Sequence, residues 1–225
     1  MLNESSRYLA LTALSAFALH AGAAAASETA TLSVTIKSVA TDKTLELPDG
    51  STAIAPIAPG AYAVVADGVQ VFHRNKAAGT DGLESLAEDG NAEAFIAHLQ
   101  GIKGVREAGL FVPGQAFEVT ARPGERLVFA TMFVQSNDLF LAPGPRGIAL
   151  FDAAKKPVSG DETAAVRLWD AGTEKNEAPG IGPDQAPRQK MANSGPDEHG
   201  VVRPVHDGFA YPAVADVVNV TINAE

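Results

Sequence analysis

"AFEVTARPGERLVFATMFV", Ala116 to Val134, decides the fold class. Phe117, Val119 and Ala121 alternate with polar residues, the period-two pattern of a strand with one buried face. Pro123-Gly124 then turn the chain. The strand that follows, Leu127 to Val134, is nearly all apolar, as a central strand covered on both faces requires. Two strands and a turn in so short a stretch predict a sheet protein.

The rest of the chain repeats this grammar. In "TLSVTIKSV", Leu32, Val34 and Ile36 share a face; in "ADVVNVTIN", Val218, Val220 and Ile222 do the same. "AYAVVADGVQVFH" places Asp67-Gly68 between apolar runs and predicts a hairpin. "GIALFD" and "AAVRLWD" are further short strands. One segment departs from the pattern: from Asp81 to Ile102, Leu83, Leu86, Phe95, Ile96 and Leu99 recur at helical spacing, interrupted by Gly90. It predicts one or two short helices in a long connection. Thr173 to Pro204 is rich in Pro, Gly, Asn and Asp and has no period. A loop of that length in a compact domain is functional or disordered. Many short strands with frequent turns specify an all-β fold, an antiparallel β-sandwich.

The first 26 residues differ in kind. Arg7 precedes an apolar run from Tyr8 to Leu19, and small residues follow, with Ala24 and Ala26 at the −3 and −1 positions of a cut before Ser27. That is the layout of a secretory signal peptide, too short in its apolar core to span a bilayer. Residues 27–225 then form one domain, secreted or periplasmic, with no second apolar stretch of membrane-spanning length. The 225-residue chain contains no cysteine, so disulfides cannot hold it, which favours a bacterial exported protein. Its formal charge of −10 argues against nucleic acid as a partner, because that binding is driven by Lys and Arg on phosphates.

No nucleophile elbow, phosphate loop, dinucleotide fingerprint or HExxH zinc motif is present. No catalytic residue is singled out, and His73, His98, His199 and His206 lack the spacing that favours zinc. What does stand out is carboxylates at strand ends: Asp138 after the long apolar strand, Asp170 and Glu174 in "RLWDAGTEKNEAPG". A hard cation such as calcium takes six to eight oxygens. Two strands of one sheet ending together bring these three carboxylates within reach of one ion, and Gly172 allows a carbonyl to turn inward. The bland alternative is that Asp and Gly are ordinary turn residues. Trp169 reads as a buried anchor whose indole N–H meets a carbonyl, holding Asp170 still.

The segments "FATMFVQSNDLFLAP", "GIALFD", "RLWDAGTEKNEAPG" and "GPDEHGVVRPV" resemble the spondin N-terminal domain family of F-spondin and mindin, above all its bacterial members. The resemblance runs from about Thr29 to Asn223. It implies an eight-stranded antiparallel β-sandwich similar to C2 domains, working outside the cell in adhesion, with a calcium site at one end. Carried over by position, the family's ligands fall on Asp138, Asp170 and Glu174. This sequence departs in having Glu at the third ligand, Leu139 after Asp138, and none of the cysteines or thrombospondin-type repeats.

Sequence and resemblance together predict an exported calcium-binding module, non-catalytic, whose partner is a cell-surface glycan or protein. The alternative is an exported metal-dependent hydrolase using the same acidic cluster, with His199 or His206 supplying the base.

Overall fold

The computed structural model describes residues 29–225. The signal peptide read at 1–26 lies outside the described residues. The chain forms β1 (Ala30–Ser38), the small β2 (Leu45–Glu46) and β3 (Thr52–Ala53), then β4 (Gly60–Val65). Helices α1 (Leu83–Asp89) and α2 (Glu93–Gly101) follow, then β5 (Val105–Phe111), β6 (Ala116–Ala121) and β7 (Arg126–Met132). After them come β8 (Leu139–Pro143), β9 (Ile148–Ala149), β10 (Gly160–Asp161) and β11 (Val166–Asp170). The order closes with β12 (Arg203–Pro204), the single-turn α3 (Val214–Val217) and β13 (Val218–Ala224). Of these thirteen strand segments, β1, β4, β5, β6, β7, β8, β11 and β13 are five residues or longer.

The strands build an antiparallel sandwich. One sheet runs β10-β13-β1-β6, the other β12-β11-β8-β7-β4-β5 with β9 also paired to β7. Leu32, Val34 and Ile36 of β1 and Val218, Val220 and Ile222 of β13 all face inward, as their alternation predicts. They meet Leu127 and Phe129 of β7 and Leu139 and Leu141 of β8 in one continuous core. Burying each such side chain contributes about 1.5–3 kcal/mol.

The larger sheet is covered on its other face as well. Val128 and Ala130 of β7 point away from the sandwich core and pack with Leu83, Leu86, Phe95 and Leu99 of the two helices. This is why β7 reads as unbroken apolar sequence: each face has its own cover. The Pro123-Gly124 turn forms, yet it joins no hairpin. β6 pairs only with β1, whereas β7 pairs with β4, β8 and β9, so the turn carries the chain from one sheet to the other.

The hairpin predicted at Asp67-Gly68 does not form either. The turn is there, with the Val69 N–H donating to the Ala66 carbonyl at 3.1 Å. However, β4 already has β5 on one edge and β7 on the other, leaving no edge for a returning strand. Val71 and Phe72 instead enter the helix-side core.

Candidate metal centre

β8 starts where β11 ends. In their antiparallel register Asp170 lies opposite Leu139, and the Ala171 N–H donates to the Asp138 carbonyl at 3.2 Å. Asp138 and Asp170 are thereby held at one end of the larger sheet, both with no solvent exposure. Trp169 anchors this end as expected. Its indole N–H donates to the Ala142 carbonyl at 3.2 Å, and its ring meets Phe72 edge-on with centroids 5.3 Å apart.

The third carboxylate is not the predicted one. One oxygen each from Asp138, Asp170 and Glu198 lie within 4.8 Å of one another. Glu174 is buried nearby, but its carboxylate accepts the Gly195 N–H at 2.8 Å and the Asn137 amide at 3.3 Å. What Glu174 gives the site is its main chain: its N–H donates to Asp138 Oδ2 at 3.1 Å. Glu198 arrives because the long loop folds back on itself. The N–H groups of Glu198 and Gly200 donate to the carbonyls of Thr173 and Gly172 at 2.8 and 2.7 Å. No periodicity marks this ladder in the sequence, so the return of Glu198 was not legible there.

Gly172 plays another role than the one expected of it. Its carbonyl accepts the Gly200 N–H at 2.7 Å, in the ladder between the two loop arms. Its φ is +72°, and a Cβ there would meet the Val201 nitrogen at 2.5 Å. Glycine is needed for the close approach of the two loop arms.

Sequence reading also missed Arg203. It is the register partner of Asp170 on β12, and its guanidinium contacts Asp170 Oδ2 at 2.8 Å and both Glu198 oxygens at 2.7 and 2.9 Å. Asp170 is otherwise well served: Oδ1 accepts the Gly172 N–H at 2.7 Å and Oδ2 the Asn176 amide at 2.9 Å. Asp138 is not. Its Oδ2 accepts from the Thr173 and Glu174 N–H groups, while Oδ1 is buried without a partner.

Electrostatics sharpen the contrast. Burial, then the charge of Asp170, pushes the Asp138 carboxyl up to about 7. Burial also raises Asp170, opposed by the Arg203 guanidinium. Three carboxylates face one guanidinium, so two negative charges stay uncompensated when all are ionised. Leaving a buried polar oxygen unpaired is costly. The donors are all carboxylate oxygens, with no sulfur or imidazole, which is the set a hard divalent cation prefers. The residues present therefore fit a metal ion.

No protein-family model matches this chain, and no curated protein matches it significantly.

Proposed function

We propose that the protein is an exported, non-catalytic calcium-binding module whose β-sandwich presents loops to a cell-surface glycan or protein. The observation that carries the metal part is Asp138 Oδ1, wholly buried and unpartnered beside two further carboxylates. Asp138, Asp170 and Glu198 would hold the ion, and the resemblance to the spondin family points independently to the two aspartates. When bound, the ion supplies structural cross-linking: it ties the start of β8 and the end of β11 to the Thr173–Pro204 loop. The adhesive role and the secreted or periplasmic location rest on the spondin resemblance and on the signal-peptide pattern of residues 1–26.

The hydrolase alternative is less well supported. It needs a base beside the carboxylates, and the side chain that touches two of them is Arg203, which stays protonated. His199 is exposed and pairs with Asp197 at 2.9 Å. Native mass spectrometry of the mature protein tests the proposal. One calcium per chain is expected, lost in Asp138→Asn and Asp170→Asn; no retained calcium in wild type would overturn it. Turnover in a panel of ester, glycoside and phosphate substrates, lost in the same variants, would favour the hydrolase.

A further inference from the structure

The carboxylate cluster already carries a cation of its own. A single nitrogen of Arg203, Nη2, lies 2.7 and 2.9 Å from the two oxygens of Glu198. The same nitrogen lies 2.8 Å from Asp170 Oδ2. One positively charged group thus sits among three carboxylate oxygens, with both oxygens of Glu198 turned toward it.

The three acids do not offer their oxygens alike. Asp138 Oδ2 accepts the Thr173 N–H, the Thr173 hydroxyl and the Glu174 N–H at 2.7, 3.2 and 3.1 Å. Only Oδ1 of Asp138 is left, buried and unpartnered. Asp170 Oδ1 accepts the Gly172 N–H at 2.7 Å, so Oδ2 is the oxygen it turns to Arg203. Main-chain N–H groups therefore hold one oxygen of each aspartate, and freeing those oxygens would unmake the loop. Glu198 is different. Among the described residues, both of its oxygens accept from Arg203 alone. Arg203 reaches the cluster on a long flexible stem and is 30% exposed, so its head can withdraw into water.

We infer that Glu198 is the two-oxygen ligand of this site and the residue that selects calcium over magnesium. The inference rests on the cation-binding reading above and adds the source of its selectivity. Calcium takes about six to eight oxygens in flexible geometry and accepts both oxygens of one carboxylate. Magnesium demands a near-regular octahedron, and the two oxygens of one carboxylate lie too close together to fill two of its corners. Two aspartates limited to one oxygen each serve either ion. A glutamate that presents both oxygens to one point favours the larger. Glu198 lies in the aperiodic loop, so this ion preference is encoded away from the strand ends that carry the aspartates.

Isothermal titration of the protein with calcium and, separately, with magnesium tests this. Wild type should bind calcium at least about a hundred-fold more tightly. Glu198→Gln retains one good oxygen, and its side chain is 29% exposed and safe for folding. It should weaken calcium at least about ten-fold and magnesium no more than about three-fold, so the preference narrows. Thr173→Val removes a hydroxyl from Asp138 and leaves Glu198 alone. It should weaken both ions by the same factor, about two- to three-fold, and leave the preference as in wild type. Equal affinity of the two ions in wild type would overturn the inference while leaving the metal centre standing. Equal weakening of both ions by Glu198→Gln would do the same, because Glu198 would then be a one-oxygen ligand. Binding of neither ion by folded wild type would remove the metal centre itself and the inference with it.

Discussion

Asp138 is a residue whose surroundings satisfy one oxygen and strand the other. Around it, three side chains contribute in different ways. Glu198 brings a carboxylate within ion-sharing distance, Glu174 brings only its N–H, and Arg203 brings the opposing charge. These roles separate by mutation. Glu198→Gln should weaken calcium binding at least ten-fold with little loss of stability. Glu174→Gln should spare affinity and lower stability by about 1–3 kcal/mol, because it weakens the buried bonds to Gly195 and Asn137. Isothermal titration and chemical denaturation of the two variants measure both. Arg203 competes with the ion for Asp170 and Glu198, so Arg203→Gln should tighten calcium binding by about ten-fold while destabilising the calcium-free protein. Weaker binding in that variant would mean the guanidinium supports the ion's ligands. At this scale the sequence exposed Asp138 and Asp170, since both sit directly against strands with clear patterns. Glu198 and Arg203 were illegible because an aperiodic loop and a two-residue strand bring them in.

At the scale of elements, the site is the shared end of β8 and β11 with the folded-back loop laid over it. The strands were readable because each has one or two apolar faces that a period can reveal. Pairing was not: the Asp67-Gly68 and Pro123-Gly124 turns look alike as sequence, and neither makes a hairpin. Which edge of a strand is free depends on the other strands, and no local signal carries that. The same holds for the ladder between residues 172–175 and 196–200, whose geometry depends on Gly172. Gly172→Ala places a Cβ against the Val201 backbone at a φ of +72°. The expected result is a loss of about 1–3 kcal/mol in denaturation. Calcium affinity should fall with it, since Glu198 is carried on the displaced arm. Unchanged affinity would mean Glu198 is held by Arg203 alone.

Across the whole molecule, two buried carboxyls make stability depend on pH and on cations. Asp138 is raised from 3.8 to about 7 and Glu88 from 4.5 to about 8, so both bind protons more tightly folded than unfolded. Their contribution to stability is fully present below the unfolded values and is lost as pH rises through the folded ones. In chelator, the melting temperature should therefore fall between about pH 5 and pH 8. Glu88→Gln should flatten the upper part of that fall, and calcium should oppose it by favouring ionised Asp138. The sandwich supplies the rest of the stability through its two apolar layers, without any cysteine.

The central claim is that Asp138, Asp170 and Glu198 share a divalent ion. Scanning calorimetry of the protein, in calcium and in chelator at one pH, addresses it most directly. Calcium at about a hundred times its dissociation constant adds about 2.7 kcal/mol, which for a domain of this size raises the melting temperature by roughly 5–10 °C. That rise, absent in Asp138→Asn, is the predicted result. Coincident transitions of the wild type in calcium and in chelator would contradict it.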